Sequence, residues 1–285
     1  MLFDHIIDRS RTGMLLGALL AGCAVVDPSV RLQQADALAG AAGWERSTLA
    51  AGSFALTVWS PAAAQRAATL TVYMEGDGMA WLNPSTVSPD PTPVQAMALQ
   101  LALRHPVGAV AYLARPCQFQ AGALPAACRS AVWTDARYSP QVIDSMNAAL
   151  DQLIQRTGAR RLILVGYSGG GVVAALLAAR RADVVLLLTV AANLDTAAWA
   201  RLQHLSPLAG SLNPADYAAQ LARVPQQHWV GTDDKVVPPG VLASYAARFP
   251  AGARPRVTVV PGFSHGCCWQ AGWAAMVTPQ LPSGE

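Results

Sequence analysis

An apolar strand that runs straight into a glycine-rich turn and then into a helix is the feature that most constrains this chain. Residues 162–165 are all apolar, as expected of a strand buried on both faces of a parallel sheet. Residues 166–171 read Gly-Tyr-Ser-Gly-Gly-Gly, and 172–181 have the composition of a helix. In this setting Gly-x-Ser-x-Gly places the serine on a sharp turn above the sheet, because glycines leave room for neighbouring backbone. The pattern predicts Ser168 as a nucleophile.

A phosphate-binding loop is the rival interpretation of this turn. Such a loop would end in Gly-Lys-Ser/Thr or read Gly-x-Gly-x-x-Gly, and residues 166–171 have neither pattern. A plain structural turn is the other alternative, and the flanking strand and helix argue against it.

Strand and helix patterns alternate along the rest of the chain. The predicted strands are residues 53–59, 69–75, 107–112, 161–165, 184–190, 227–230 and 257–260. The predicted helices are residues 93–104, a long helix from Ser139 and Pro140, and residues 172–181, 237–249 and 269–277. This alternation indicates an α/β fold with a mostly parallel central sheet and helices on both faces. We predict a tether over 23–48, with a short helix in its alanine- and glutamine-rich residues 24–45, and one domain over 49–285, with a small lid-like insertion at about 191–225.

Composition excludes several classes of protein. Charged residues make up 13% of the 285 residues and hydrophobic residues 53%, whereas a disordered chain needs low hydrophobicity and high net charge. The formal net charge is +3, and the single lysine, Lys235, stands among scattered arginines that form no basic stripe. We therefore expect no nucleic-acid partner. No apolar run reaches the length of a membrane-spanning helix, which needs about 20 residues.

The first residues have the pattern of an export signal. Two arginines precede the apolar stretch 13–22, and small residues lead into Cys23. Leu-Ala-Gly-Cys resembles the lipobox of bacterial lipoproteins, which implies a signal peptide at 1–22 and an acylated, membrane-anchored Cys23. Because Ala24 is not aspartate, the resemblance implies the outer membrane, facing the periplasm. An ordinary signal peptide with an incidental cysteine, or a buried helix, are the alternatives.

Four further cysteines would lie in an oxidising compartment, which favours disulfides. Cys117 and Cys128 flank a loop rich in proline, glycine and alanine, so a bridge between them is our first choice. Cys267 and Cys268 would then form a vicinal disulfide or remain free buried thiols. A metal site is not expected, because no Cys-x-x-Cys or second histidine lies at zinc-ligand spacing, and no cofactor is indicated.

From about residue 50 to residue 280 the chain resembles the α/β-hydrolase fold, in which nucleophile, acid and histidine follow one another in this order. Residues 231–238, Gly-Thr-Asp-Asp-Lys-Val-Val-Pro, are similar to the acid loop of that family and imply Asp234 as the acid. The second and third candidates for the acid are Asp233 and Asp195. His265 lies in the loop after the last predicted strand, where the family keeps its catalytic histidine.

The resemblance also implies an oxyanion hole made by two backbone N–H groups. One belongs to Gly169, directly after the nucleophile. The other belongs to Asp77 or, as second choice, Gly78, in a loop that reads Glu-Gly-Asp-Gly. An acidic side chain beside an oxyanion is unfavourable unless it points away or is neutralised. Arg115 and Arg137, on loops expected near this edge, are candidates for neutralising it.

These patterns predict a serine hydrolase of the carboxylesterase or lipase type, with Ser168, His265 and Asp234 acting on a small acyl substrate through an acyl-enzyme. An amidase, peptidase or thioesterase uses the same triad, and a non-catalytic envelope lipoprotein could use the same scaffold for binding. Tyr-Met-Glu-Gly-Asp-Gly, Arg-Pro-Cys-Gln, Gly-Tyr-Ser-Gly-Gly-Gly and Ser-Leu-Asn-Pro-Ala-Asp resemble stretches of bacterial α/β-hydrolase-like lipoproteins. That resemblance implies no substrate.

The rim of the substrate pocket is predicted to come from residues 113–138 and 191–225. Ordinary core packing is the alternative role for each apolar side chain in these segments. The candidate lining residues are Trp133, Trp199, Leu205, Leu208 and Tyr217. Tyr167, beside the nucleophile, is expected to pack.

Overall fold

The computed structural model describes residues 27–63 and 65–282. The strands are β1 (Trp44–Ala51), β2 (Phe54–Pro61), β3 (Thr69–Met74), β4 (Trp81–Asn83), β5 (Thr86–Val87), β6 (Ala109–Leu113), β7 (Arg161–Tyr167), β8 (Val184–Val190), β9 (Gln226–Gly231) and β10 (Arg256–Val260). The α-helices are α1 (Pro28–Ala41), α2 (Met97–Ala102), α3 (Pro140–Thr157), α4 (Gly169–Arg180), α5 (Thr196–Leu202), α6 (Ala218–Leu221), α7 (Pro239–Ala246) and α8 (Trp269–Val277). The predicted signal peptide and Cys23 lie outside the described residues. None of the helices in the described ranges combines the length and apolarity of a membrane span.

Eight strands form one mixed sheet in the order β1-β2-β6-β3-β7-β8-β9-β10, and β4 and β5 form a separate hairpin. β2 is antiparallel to both β1 and β6, whereas all other neighbours in the sheet are parallel. The predicted mostly parallel sheet is therefore confirmed. Because the parallel strands share one direction, the loops after β3, β7, β9 and β10 leave the same edge, which we call the carboxyl edge.

Helices cover both faces of this sheet and create two cores. On one face, α3 and α4 bury Met146 and Leu176 together with Leu164 of β7, and we call this the first core. On the other face, α8 buries Trp273 together with Ile163 of β7, and we call this the second core. β3 and β6 are buried along their whole lengths, as expected of parallel strands that are covered on both faces.

The predicted helix start at Ser139 is confirmed. The Ser139 hydroxyl accepts a hydrogen bond from the Val142 N–H at 3.4 Å, and α3 ends at Gly158, whose φ is +72°. Serine at the N-cap and a left-handed glycine after the last turn satisfy backbone groups that the helix leaves without internal partners. The capping residues thus define both ends of α3.

The N-terminal segment is part of the domain, so the predicted tether over 23–48 and the predicted domain start at 49 are wrong for the described residues. α1 buries Leu32 in the second core, and Asp36 accepts a hydrogen bond from the indole N–H of Trp59 at 3.0 Å. β1 pairs with β2 along its whole length. The short helix expected within the alanine- and glutamine-rich residues 24–45 is present as α1, but its packing against the domain was not predicted, because its sequence has weak apolar periodicity.

Both predicted cysteine pairings are present in the structure. Cys117 and Cys128 are bonded, with their Cα atoms 5.6 Å apart, and close the loop that follows β6. Cys267 and Cys268 are bonded to each other. Their side chains are exposed, so the alternative of free buried thiols is wrong.

The predicted lid-like insertion, 191–225, divides into two parts. α5 and the loop after it bring Trp199 and Leu205 to the pocket described below. The second part, a 3-10 turn at Pro214–Tyr217 followed by α6, packs on α4 and buries Leu221 completely. Only the first part can therefore act as a rim, because the second belongs to the core.

Candidate active site

The nucleophile candidate lies on a strained turn between β7 and α4. Ser168 has a φ of +51°, in the left-handed region that residues other than glycine rarely adopt. Its backbone N–H donates to the carbonyl of Val190 at 2.9 Å, which holds the turn against β8. A Cβ at Gly166 would collide with the backbone of Gly171, and a Cβ at Gly170 would collide with the end of β3. Close backbone approach therefore requires these glycines.

Three side chains from three loops of the carboxyl edge form one hydrogen-bonded chain. The Ser168 Oγ lies 3.1 Å from the Nε2 of His265, whose Nδ1 lies 2.9 Å from the Oδ2 of Asp234. An ionised carboxylate can only accept, so the His265 Nδ1–H donates to Asp234 and the Ser168 hydroxyl donates to Nε2. The structure thus brings together the three predicted residues, with a histidine placed as a general base would be.

The backbone around Asp234 fixes its carboxylate. Its Oδ1 accepts hydrogen bonds from the N–H groups of Val236 and Val237, at 2.9 and 2.7 Å. The residue is only 2% exposed. Because these two N–H groups hold Oδ1, the Oδ2 atom of Asp234 faces the imidazole of His265.

The two alternative acids have other partners. Asp233 is exposed, and its carboxylate accepts a hydrogen bond from the Thr232 hydroxyl. Asp195 is fully buried and caps α5 by accepting from the Ala198 N–H at 3.0 Å. Burial pushes the pKa of Asp195 up, but the Ser244 hydroxyl and this cap outweigh burial and lower it. Of the three candidates, only Asp234 contacts His265.

The loop that carries His265 is held through its main chain. The His265 carbonyl accepts hydrogen bonds from the Tyr167 hydroxyl at 3.0 Å and from the Trp269 indole N–H at 3.1 Å. Burial raises the pKa of Tyr167 well above its usual value, so its hydroxyl remains a donor. Tyr167 therefore does more than pack, which its place beside the nucleophile gave no reason to expect.

The acidic side chain of Asp77 is turned into a cluster of donors. Arg115 donates to its Oδ1 at 2.9 Å, Arg137 donates to its Oδ2 at 2.7 Å, and the Tyr138 hydroxyl lies 3.0 Å from both oxygens. Burial pushes the pKa of Asp77 up, but the two guanidinium groups outweigh it and lower the pKa. Both arginines that sequence analysis named as candidates thus neutralise this carboxylate.

We expect Asp77→Ala to lower the free energy of unfolding by about 3–5 kcal/mol, because it leaves two buried guanidinium groups without their counter-ion. Arg115 and Arg137 are 4% and 6% exposed. Urea titration followed by circular dichroism measures the change. Asp144→Ala is the control: it removes an exposed ion pair with Arg180 and should cost less than about 1 kcal/mol. Equal losses in the two variants would contradict the interpretation.

The peptide that joins Gly76 and Asp77 has a fixed orientation. The Gln118 side-chain amide donates to the Gly76 carbonyl at 2.9 Å, and its oxygen accepts from the Arg115 N–H at 3.1 Å. In a trans peptide the N–H points opposite to the carbonyl, so this contact also sets the direction of the Asp77 N–H. A Cβ on Gly76 would lie 3.3 Å from the Ser168 Cβ, which places this peptide beside the nucleophile.

The second predicted oxyanion donor is the N–H of Gly169, the residue after the nucleophile. It opens α4, whose first N–H groups have no acceptor within the helix. There is no room for a Cβ on Gly169, because it would collide with the Asp77 carboxylate. The two N–H groups predicted as oxyanion donors therefore come from neighbouring residues, and their role in binding an oxyanion stays a prediction.

Glu75 was not among the functional residues predicted from the sequence, although it is buried and hydrogen-bonded at the site. Its Oε1 accepts from the Gly76 N–H at 2.9 Å and from the Ala98 N–H at 3.3 Å, and the Tyr112 hydroxyl donates to Oε2 at 3.1 Å. Burial raises the pKa of Glu75 to about 7, although these donors oppose the rise. The carboxylate ties the loop after β3 to the start of α2. A glutamate directly after a buried strand was the only available signal.

We expect the free energy of unfolding to depend on pH because of Glu75. A pKa raised from 4.5 to about 7 means that the folded protein binds this proton more tightly than the unfolded chain. The contribution of the Glu75 proton to the free energy of unfolding is therefore complete below about pH 4.5. It is lost as the pH rises through about 7, which is a change of about 3 kcal/mol. Glu75→Gln should remove this part of the pH dependence, measured by urea unfolding at about pH 5 and about pH 8. The same change at the exposed Glu45 should have no such effect.

A pocket of about 1010 Å³ opens over Ser168 and His265. Of the predicted lining residues, Trp199, Leu205 and Leu208 border it. Trp133 and Tyr217 do not border it and pack against the first core. Residues that sequence analysis did not anticipate come from the segment after β3, namely Met79, Ala80, Trp81, Asn83, Pro84, Pro93 and Val94. In the described ranges no three histidine, cysteine, aspartate or glutamate residues are grouped as metal ligands.

No family model and no curated protein sequence matches this chain. Among solved structures it is similar to an α/β serine hydrolase without lid from Xanthomonas campestris, at 14% identity over 85% of this chain and 97% of that chain with a TM-score of 0.55. It is also similar to an α/β serine hydrolase homologue from Coxiella burnetii, at 15% identity over 84% and 97% of the two chains with a TM-score of 0.55. The chain has the α/β-hydrolase fold. The chain is also similar to the structure of an esterase from Pyrococcus furiosus, at 13% identity over 83% of this chain and 88% of that chain, with a TM-score of 0.55.

The α/β-hydrolase fold agrees with the resemblance drawn from the sequence motifs. At such low identity the likeness concerns the fold, and one fold supports many activities. A function for this chain therefore has to be argued from its own side chains.

Proposed function

We propose that the protein is a serine hydrolase that cleaves carboxylic esters of apolar acyl groups. The observation that carries the proposal is the hydrogen-bonded chain from the Ser168 hydroxyl through His265 to Asp234, at 3.1 and 2.9 Å, under an open pocket. A free hydroxyl is a weak nucleophile at neutral pH and needs an adjacent base. The histidine supplies that base, and the buried carboxylate holds its tautomer.

In the proposed reaction, the Ser168 Oγ attacks the acyl carbon while its proton passes to the His265 Nε2. The resulting tetrahedral oxyanion accepts hydrogen bonds from the Gly169 and Asp77 N–H groups. The imidazolium then returns the proton to the departing alcohol oxygen, which leaves an acyl-enzyme. A water molecule repeats the sequence, gives its proton to Nε2 and releases the acid with Ser168 restored.

The charged groups of the pocket favour an uncharged substrate. Arg137 forms an ion pair with Asp77, so the described lining offers no unpaired arginine or lysine to bind a substrate carboxylate. About half of the other lining residues are apolar, which suits an acyl chain. An amidase or peptidase with the same triad is the second candidate, and amide substrates tested beside esters distinguish the two.

We also propose that the mature chain is an envelope lipoprotein anchored through Cys23, at the outer membrane and facing the periplasm. The support is the Leu-Ala-Gly-Cys sequence after a short apolar stretch. Cys23→Ser should move the protein from the membrane fraction to the soluble periplasmic fraction. Unchanged partitioning would refute the anchor.

A fluorophosphonate probe tests the catalytic proposal directly. The folded protein should be labelled, and mass spectrometry should place the adduct on Ser168. His265→Ala should abolish most of the labelling, because the hydroxyl then lacks its base. Folded protein without labelling would instead favour a binding module that only shares the scaffold.

A further inference from the structure

Apolar side chains are exposed around the mouth of the pocket. Trp81, Val94, Leu205 and Val236 all line it, and between 44% and 49% of each residue is exposed. Single exposed apolar residues are ordinary, but a group of them around one opening marks a surface that meets another apolar phase. Tryptophan in particular is favoured where water meets a bilayer.

One side of this mouth is formed by residues 79–94, which we call the rim segment. It contains the β4–β5 hairpin, closed by hydrogen bonds from Met79 N–H to the Pro91 carbonyl at 3.1 Å and from Ser88 N–H to the Ala80 carbonyl at 3.0 Å. Leu82 on β4 is 38% exposed and does not line the pocket. The hairpin thus presents an apolar surface beside the opening as well as inside it.

The start of α1 is attached to both ends of the rim segment. The Arg31 guanidinium lies 3.7 Å from the Met79 sulfur and donates to the Thr92 carbonyl. Arg31 is 2% exposed, so this is a buried contact. The first turn of α1 therefore lies beside the pocket mouth.

The other end of α1 points away from the mouth. α1 leads through Gly43 into β1, and the Gly43 carbonyl accepts a hydrogen bond from Ala62, just after β2. Since β2 is antiparallel to β6, this end of β2 lies at the edge of the sheet opposite the carboxyl edge. The Arg31 contacts near the start of α1 and the Gly43 contact after its end show that α1 runs from the pocket mouth toward the opposite edge of the sheet.

The chain between Cys23 and Pro28 is short. Five residues span at most about 17 Å even when fully extended, and Arg31 lies only about 5 Å further along the helix. A lipid on Cys23 would therefore hold the mouth of the pocket close to the bilayer surface, with the opposite edge of the sheet further away.

We propose that the pocket takes its substrate from the bilayer that holds the anchor: an uncharged, long-chain acyl ester in the same leaflet, with the apolar mouth docked on the membrane surface. This inference rests on the proposed ester hydrolysis and on the proposed anchor. A pocket at the upper end of the usual range of about 300–1,000 Å³ has room for a long acyl chain. Burial of the exposed apolar groups at the mouth in the boundary between headgroups and acyl chains lowers the free energy of the docked state.

The test compares substrate in the same vesicle with substrate in another vesicle. Lipidated full-length mature protein is reconstituted in phosphatidylcholine vesicles, with umbelliferyl palmitate either in those vesicles or in a second, protein-free population. Soluble umbelliferyl butyrate is hydrolysed in parallel. We expect the initial rate on palmitate to be at least about tenfold higher in the shared vesicle, because anchoring raises the effective concentration. Butyrate should be hydrolysed equally in both arrangements.

Equal palmitate rates in the two arrangements, or no palmitate hydrolysis in either, would overturn the inference while butyrate hydrolysis upheld the hydrolase. Loss of butyrate hydrolysis as well would reject the proposed function and the inference with it. The three outcomes are therefore distinguishable.

Two matched variants test the docking surface. Leu82→Asp should lower the shared-vesicle rate at least about fivefold, because a charge cannot enter the bilayer boundary, and should leave butyrate hydrolysis intact. Val107→Asp is the control: Val107 is 63% exposed and precedes β6, at the edge opposite the mouth. It should change neither rate. Equal effects of the two substitutions would argue against a docked mouth.

Discussion

Ser168→Ala is expected to lower kcat on soluble esters by at least about 10⁴-fold, since it removes the nucleophile and leaves only binding and oxyanion stabilisation. The loss should occur in kcat, with little change in KM, because the hydroxyl takes part in bond formation rather than in holding the acyl group. Alanine at a φ of +51° is strained much as serine is, so the melting temperature should stay close to that of the parent.

Steady-state kinetics on an ester series, with thermal melting of both proteins, checks this expectation. Fluorophosphonate labelling must disappear in the same variant. A variant that folds normally and keeps more than about one hundredth of the parent activity would show that another residue attacks the substrate.

Asp234→Asn has the second-largest expected effect, a fall in kcat of about 10⁴-fold. The asparagine can still accept from the Val236 and Val237 N–H groups, so the loop should keep its shape. Its amide NH₂ would face His265 and favour the tautomer with the proton on Nε2. That tautomer cannot accept the proton of Ser168.

Asp195→Asn is the matched control for this prediction. Asp195 is also a buried aspartate that accepts a backbone hydrogen bond, and it follows β8 near the same edge, but it does not contact His265. We expect a change in stability with kcat within about threefold of the parent. If Asp195→Asn lost activity and Asp234→Asn did not, the assignment of the acid would be reversed.

The contacts of Asp77 explain how an acidic residue can occupy a position beside the nucleophile. Its carboxylate is held and neutralised by the Arg115, Arg137 and Tyr138 cluster. Arg115 and Gln118 belong to the Arg-Pro-Cys-Gln stretch, so one short segment neutralises the side chain and orients the peptide. The disulfide from Cys117 closes that segment.

The alternation of strands and helices was within reach of the sequence because apolar runs act locally, and the candidates Ser168, Asp234 and His265 came from motifs that resemble the α/β-hydrolase fold. A wholly apolar strand before glycines indicates a buried strand and a tight turn, and each candidate follows a predicted strand. Asp233 and Asp195 could be set aside only with coordinates, since the direction of a side chain from a loop is not encoded in spacing.

The packing of α1 on the domain and the rim segment could not be predicted in the same way. α1 lacks a clear apolar stripe and is stable because Trp59 and neighbouring groups cover it. The rim segment depends on Arg31, which is distant in sequence, and the contact has no local signature.

By itself, the sequence determined a mostly parallel α/β sheet, a serine on a glycine-flanked turn, and a disulfide-closed loop, because apolar runs, glycine geometry and cysteine spacing act over a few residues. Only the tertiary structure decided which aspartate meets His265, how Asp77 is neutralised, and that α1 borders the pocket. Those outcomes depend on side chains from separate loops that converge at one edge of the sheet, and a linear pattern does not record that convergence.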